Sequence, residues 1–145
     1  MQCCVKERKS PCQGLGLFAM KGIKKGTLIW KSIPGLSVEV FDYQQVLKKM
    51  ASLKTEKDKK LFLTHSYLWG GKFFHPIDKS RFWNHSSSPN TGPCPINGED
   101  TIALRDIPAG EELFDDYGLY GASKWYDNLY AKYGVLTPQQ VAAIY

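Results

Sequence analysis

The chain has 145 residues, 43% of them hydrophobic and 23% charged, with a net charge of +5. That is the composition of an ordinary soluble globular protein with room for one domain and one principal core. No run approaches the roughly 20 apolar residues of a bilayer span. The start, Met1-Gln2-Cys3-Cys4-Val5-Lys6, lacks an apolar stretch of signal-peptide length. We therefore expect an intracellular protein with no membrane contact and reduced thiols at Cys3, Cys4, Cys12 and Cys94, whose spacing is not that of a zinc site.

Charge is unevenly spread. Residues 1–60 carry 13 Lys/Arg against 5 Asp/Glu, whereas residues 99–116 carry seven acids against Arg105 alone. A basic first half is suited to nucleic-acid contact and an acidic segment to a basic peptide; two solvated faces of opposite sign account for the pattern equally.

Taken in chain order, strand-like runs fall at Leu17–Met20, Thr27–Lys31, Leu36–Val40, Lys72–His75, Thr101–Arg105 and Glu112–Phe114, each bounded by glycine, proline or polar turns. Gly22–Gly26 and Asp106–Gly110 read as turns leading into strands. Between the strands the period changes. Asp42 with Gln45 resembles a helix start, followed by Val46, Leu47, Met50 and Leu53 at helical spacing. Thr55 and Asp58 open a second helix carrying Leu61, Phe62, Leu68 and Trp69. Thr137-Pro138-Gln139-Gln140 predicts a final helix over Pro138–Ile144. The expected domain is a single α+β, mainly β unit over 1–145, with a helical insertion at about 42–69 and an aromatic tail at 119–145.

Three segments carry chemistry. Gly14-Leu15-Gly16 lets the backbone approach a ligand, although a turn before a strand explains it too. In Arg81-Phe82-Trp83-Asn84-His85-Ser86-Ser87-Ser88-Pro89-Asn90, Asn84 and His85 offer groups that can hydrogen-bond a polar heterocycle; an Asx turn with a satisfied histidine is the alternative. In Gly110-Glu111-Glu112-Leu113-Phe114-Asp115-Asp116-Tyr117-Gly118, the tyrosine after a short strand fits core packing or an active-site hydroxyl.

In this order the three segments resemble the motifs of the SET-domain protein lysine methyltransferases, over about residues 5–118. The resemblance implies a SET-domain (β-clip) fold of small curved sheets with a threaded, knot-like C-terminal segment. It implies S-adenosylmethionine as cofactor and a protein substrate with a basic lysine-containing segment, a histone tail being the candidate, which would place the chain in the nucleus. By position, Gly14, Leu15, Gly16, Asn84 and His85 would meet the cofactor, with Tyr67 as a further tyrosine beside it and Trp125 over its adenine. Tyr117 would be the catalytic tyrosine, and Asp115, Tyr117 and Tyr120 would line the lysine channel.

Two departures stand out. Many members bind zinc through a cysteine-rich terminal segment and the cysteine after Asn-His-Ser. Here that position is Ser87 and no such segment follows, so no metal is expected, and the tail aromatics Tyr120, Trp125, Tyr126, Tyr130 and Tyr133 become candidates to close the channel, although a plain core helix explains them too. Asp115 stands where the family usually has Phe or Tyr, a position that helps set the number of methyl groups added. These departures keep open a catalytically silent chromatin- or nucleic-acid-binding module, and methylation of a non-histone protein.

Overall fold

The computed structural model describes Met1 and residues 4–145; the reading of Cys3 as a reduced thiol lies outside the described residues. The first four strands are β1 (Val5–Lys9), β2 (Leu15–Ala19), β3 (Leu28–Trp30) and β4 (Val38–Phe41). Helices α1 (Tyr43–Ser52) and α2 (Glu56–Thr64) follow, then β5 (Tyr67–Trp69), β6 (Lys72–Pro76), β7 (Asn84–His85), β8 (Thr91–Pro93), β9 (Thr101–Ala103) and β10 (Phe114–Asp115), and finally α3 (Lys124–Lys132) and α4 (Pro138–Ile144). The sheets are small: β1–β2, β3–β9–β8 and β4–β6–β5 are antiparallel, and β7 pairs with β10 in parallel. This is the expected α+β architecture of small sheets around a helical insertion.

Local chemistry explains the helix starts. Asp42 accepts from the Gln45 backbone at 2.8 Å while the Gln45 side chain accepts from the Asp42 N–H at 2.8 Å, a reciprocal cap that satisfies two otherwise orphaned donors. Thr137 and Gln140 repeat the device at α4, with Pro138 in its first turn. The insertion is shorter than expected. Leu68 and Trp69 belong to β5 rather than to α2, because Gly70 and Gly71 both take positive φ (57° and 79°) and close a tight hairpin from β5 into β6. The two similar turns pair with each other: Ile23 and Ile107 exchange backbone hydrogen bonds of 2.8 Å. Strand β1 escapes the sequence pattern because only Val5 is buried; the rest of it, Lys6–Lys9, is an exposed charged edge.

Two core clusters replace the single one anticipated. Leu17, Ile29, Trp30, Val38, Phe74, Ile107 and Leu113 fill one; Val46, Met50, Phe62, Leu63, Leu68, Phe73, Tyr126 and Tyr130 fill the other. Sheet β4–β6–β5 divides them, since successive strand side chains point to opposite faces. Phe73 and Leu68 therefore face the helices, whereas Phe74, Tyr67 and Trp69 pack on the first cluster. That alternation puts Tyr67 and Trp69 where the site lies. Helix α3 joins the second cluster, and the Tyr130 hydroxyl donates to Leu63 O at 2.5 Å and Ser66 O at 3.2 Å.

His75, on β6, sits 4.4 Å from the Phe62 ring and 2.8 Å from Ser66 Oγ. Burial, the positive groups His65, Lys49 and Arg81 opposing it further, lowers its pKa to about 4. The unfolded imidazole, near 6.5, takes up a proton that the folded one refuses, so this contribution to stability is whole above pH 6.5 and is lost as pH falls toward 4. Allowing for partial exposure, urea unfolding at pH 4.5 and 7.5 should show an acid-side loss of about 1–2 kcal/mol that a His75→Gln variant lacks.

Candidate functional site

The second and third motif segments are locked together by short-range pairing. Phe114 lies opposite Asn84 and Asp115 opposite His85 in the parallel β7–β10 pair. On the other flank, Leu113 N–H donates to Leu17 O at 2.7 Å and Ala19 N–H to Glu111 O at 3.0 Å. The stretch 111–115 is thus held between β2 and β7. Asn90, 1% exposed, clamps it: its amide donates to Glu112 O at 2.7 Å and its Oδ1 accepts from Phe114 N–H at 2.8 Å. Thr91 adds a bond to Phe114 O and accepts from the Trp83 indole.

This pairing fixes Tyr117. Its backbone N–H donates to His85 Nδ1 at 3.0 Å, and its hydroxyl donates to the Trp83 carbonyl. Burial, aided by the neighbouring Asp115 carboxylate, raises the phenol well above its ordinary range, so Tyr117 stays a protonated donor at neutral pH. With Nδ1 accepting, the His85 ring carries its proton on Nε2, which is buried and has no hydrogen-bond partner among the described residues.

On one side of Tyr117 lies a cleft of about 560 Å³ lined by Gly14, Leu15, Arg81, Asn84, Leu136 and Pro138 among others, within the usual size of small-molecule sites. Asn84 spends its amide hydrogens on Gln13 O, Leu15 O and Glu112 Oε2 (3.2, 3.0 and 2.9 Å), which leaves its carbonyl oxygen for a ligand. Gly16 is set behind this wall: a Cβ there would come within 2.4 Å of Glu112 Oε2 and 3.1 Å of Asn84 Nδ2. His85 lines an adjoining cavity with Asn84 and Ser86. An open cleft with cationic Lys60 and Arg81, a free amide oxygen and an orphaned imidazole N–H nearby fits a ligand with a carboxylate and a polar heterocycle, such as S-adenosylmethionine.

On the other side is a narrow slot of about 50 Å³, which Tyr67, Trp69, Ser80, Asp115, Leu119 and Tyr120 help to line. Tyr67 stacks on Tyr120 with centroids 4.8 Å apart, Trp69 meets Tyr120 edge-on at 6.0 Å, and Tyr120 stacks on Tyr117 at 5.5 Å. The Tyr120 hydroxyl donates to Asp115 Oδ2 at 2.5 Å. A third cavity lies between them in its lining, sharing Tyr67, Ser80 and Tyr120 with the slot and His65, Arg81 and Tyr117 with the cleft. Tyr117 lines this cavity and the cleft, and Tyr120, stacked on it, lines the slot.

Other expectations need correcting. Trp125 is not beside the cleft: it packs on Tyr43 at 4.9 Å and Phe73 at 6.5 Å, because α3 turns its aromatic face into the second core. Tyr126, Tyr130 and Tyr133 pack there too, so Tyr120 alone of the tail aromatics reaches the slot. Val135, Leu136, Pro138 and Val141 flank the cleft instead; a helix start just past Val135-Leu136 was the only sequence signal for them. The acidic segment is not one surface. Glu99, Asp100, Asp115 and Asp116 line the slot, but Asp106 accepts from the Lys25 backbone, Glu111 pairs with Arg105, and Glu112 is buried on Ser10 and Asn84. Sequence reasoning also missed Ser80 and Glu112. Among the described residues no group of three or more His, Cys, Asp or Glu is placed to hold a metal ion, and no helix is long and apolar enough to cross a membrane.

The family model for the SET domain matches residues 14–118. No curated protein matches the sequence. Among solved structures, the chain is similar to a Plasmodium falciparum protein provisionally assigned as a histone methyltransferase, at 20% identity and a TM-score of 0.52, covering 86% of this chain and 99% of that one. It also resembles the Polycomb Repressive Complex 2 of Chaetomium thermophilum bound to S-adenosylmethionine (24% identity, TM-score 0.61, 91% of this chain and 16% of that one). A third likeness is to the methyltransferase domain of the human histone-lysine N-methyltransferase SETMAR (24% identity, TM-score 0.57, 81% and 45%). At these identities the structural likenesses establish the fold.

Proposed function

The chain belongs to the SET-domain family, and from that premise we propose that it is a protein-lysine N-methyltransferase that uses S-adenosylmethionine and acts on a basic segment such as a histone tail, inside the cell. The observation that supports this reading is that Tyr117 lines an open polar cleft while stacking on Tyr120, which lines an aromatic slot of acidic lining. When bound, S-adenosylmethionine supplies an electrophilic methyl group on a sulfonium. Gly14, Leu15, Asn84 and His85 would hold it, with Lys60 and Arg81 near its carboxylate. Tyr67 would stand toward the slot rather than at the cleft.

The acceptor must arrive as a neutral amine. A free lysine titrates near 10.4, so at pH 7 deprotonation costs about 4.6 kcal/mol. Burial in the slot and a nearby sulfonium charge both lower that pKa. Aromatic walls exclude water and fix the approach line, a contribution of proximity and orientation. The buried Tyr117 hydroxyl offers a fixed dipole at the junction, preorganised by its bond to Trp83 O. The acidic mouth would draw a cationic peptide.

Calorimetric titration with S-adenosylmethionine, followed by labelled-methyl transfer to a peptide array, tests this reading. We expect one-site cofactor binding and transfer to basic lysine peptides. Cofactor binding without transfer to any protein would remove the enzyme claim; salt-sensitive DNA binding that survives disruption of Asn84 and His85 would favour a binding module.

A further inference from the structure

Among the described residues the ion pairs are Met1–Asp78, His85–Asp116 and Arg105–Glu111, and no lysine takes part in one. The helical insertion gathers much of that surplus charge, with six lysines against Glu56 and Asp58 over residues 43–64. Glu56 precedes Lys60 by four residues, a spacing that favours a pair on a helix, and the two are not paired. The β1 edge is less one-sided, because Glu7 interrupts Lys6, Arg8 and Lys9.

Folding brings some of these lysines together instead of dispersing them. Lys59 of α2 and Lys132 of α3 lie over one ring, their ammoniums 6.0 and 5.6 Å from the Tyr133 centroid. They are therefore no more than about 12 Å apart, comparable to the screening length at moderate salt. Lys132 by itself is ordinary, since a cation complements the last turn of α3. Lys57 and Lys59 are not, because they sit in the opening turns of α2, where the helix dipole disfavours cations. The ring attracts both ammoniums, yet no carboxylate among the described residues is within ion-pair distance of either. An external polyanion would neutralise them. Lysine is a point-charge partner for phosphate, whereas bidentate carboxylate recognition favours arginine, and residues 43–64 and 124–145 contain no arginine. A nucleic-acid duplex carries one charge per about 1.7 Å of its axis, so a patch of this span meets several phosphates at once.

We propose that the start of α2 and the end of α3 form a nucleic-acid surface, on which Lys57, Lys59 and Lys132 contact backbone phosphates and no base is read. The half-buried Tyr133 ring is already occupied by the two ammoniums, so it offers no stacking platform, and phosphate contacts carry no sequence information of their own. The surface is distinct from the site described above: Lys59, Lys132 and Tyr133 line neither the cleft nor the slot. Their chain neighbours Lys60 and Gly134 do line the cleft, so phosphates bound here would pass its rim. The surface does not rest on the methyltransferase reading. Nucleic-acid binding without transfer to any protein is the binding-module outcome; with transfer, it adds an anchoring surface to the enzyme.

Fluorescence anisotropy of the full chain with labelled duplex DNA, duplex RNA and single-stranded DNA tests the proposal across salt concentrations. Three phosphate contacts predict a log–log salt slope of about −3, a roughly 40-fold loss of duplex affinity between about 50 and 200 mM salt. In Lys59→Gln with Lys132→Gln the slope should shrink by about 2, leaving a roughly fourfold loss over that range. The charge-retaining pair Lys59→Arg with Lys132→Arg should keep the original slope, which separates charge from packing. Lys6→Gln with Lys9→Gln on β1 should leave it unchanged. Among the three nucleic acids the tightest binder names the source of the phosphates. No binding at the lowest salt, an unchanged slope in the glutamine pair, a larger effect from the β1 pair, or a preference for one base sequence would overturn the proposal. So would polyglutamate binding as tightly as the duplex, since that marks a surface for acidic protein. If the glutamine pair fails to fold, the wild-type slope, the β1 pair and the polyglutamate comparison still decide.

Discussion

Replacing Tyr117 by phenylalanine is expected to lower the rate of methyl transfer by about 10²–10³-fold, the usual loss when one preorganised dipole is removed from a buried reaction site. The hydroxyl is the only part deleted. The ring would keep its stack on Tyr120 at 5.5 Å and its contact with His85 at 5.3 Å. The backbone N–H of residue 117 would still donate to His85 Nδ1. The cleft that Gly14, Leu15 and Asn84 line would therefore be unchanged, and the cofactor dissociation constant should stay within about threefold of the original. Stability should fall by about 1 kcal/mol, because the Trp83 carbonyl loses its donor. Single-turnover kinetics separate these effects from product release. An unchanged rate with saturating cofactor would show that the phenol packs at the junction without contributing to the chemistry.

The elements that sequence made legible are those whose signals are local. Asp42 with Gln45, and Thr137 with Gln140, are complete caps within four residues, and both helices begin where those side chains require. Strand β6 alternates two aromatic residues that belong to different cores, yet its run of Lys72–His75 is dense enough in strand formers to be seen. What stayed hidden depends on distant partners. Asn84 and His85 are recognisable as a motif, and the family resemblance implies that the tyrosine motif is brought to them, but nothing near them reveals the register, Phe114 beside Asn84 and Asp115 beside His85, thirty residues on. Trp125 illustrates the same limit from the other direction. An aromatic in the tail suits a cofactor cover and a core helix alike; only the position of α3 against β6 and α1 puts it on Phe73 and Tyr43. The acidic segment likewise read as a uniform surface until folding divided it between the slot, an Arg105 pair and a buried carboxylate. Ser80 was silent because a serine between Lys79 and Arg81 carries no pattern of its own; its significance is burial without a partner among the described residues.

That buried carboxylate leads to the second large effect. Gly16 is in ordinary extended backbone on β2, so its value is not conformational freedom but absence of a side chain. Alanine there would put a Cβ 2.4 Å from Glu112 Oε2 and 2.8 Å from Glu112 Cδ, well inside contact distance. The end of a glutamate can normally swing away cheaply. Here it cannot: Glu112 is 6% exposed, accepts from Ser10 Oγ at 2.8 and 3.1 Å, and takes one Asn84 amide hydrogen at 2.9 Å. Displacing it strands a buried charge and two donors, so Gly16→Ala should cost about 2–4 kcal/mol of stability. Asn84 would move with it, and cofactor affinity should fall at least about tenfold, since sub-ångström displacement of a binding amide is enough. Urea unfolding and calorimetry measure the two losses. Shortening the carboxylate's arm in the same chain, Gly16→Ala with Glu112→Asp, frees space for the methyl and should recover part of the stability. If Gly16→Ala alone is as stable as the parent and binds cofactor equally well, the Ser10–Glu112–Asn84 network is not what holds the cleft wall in place.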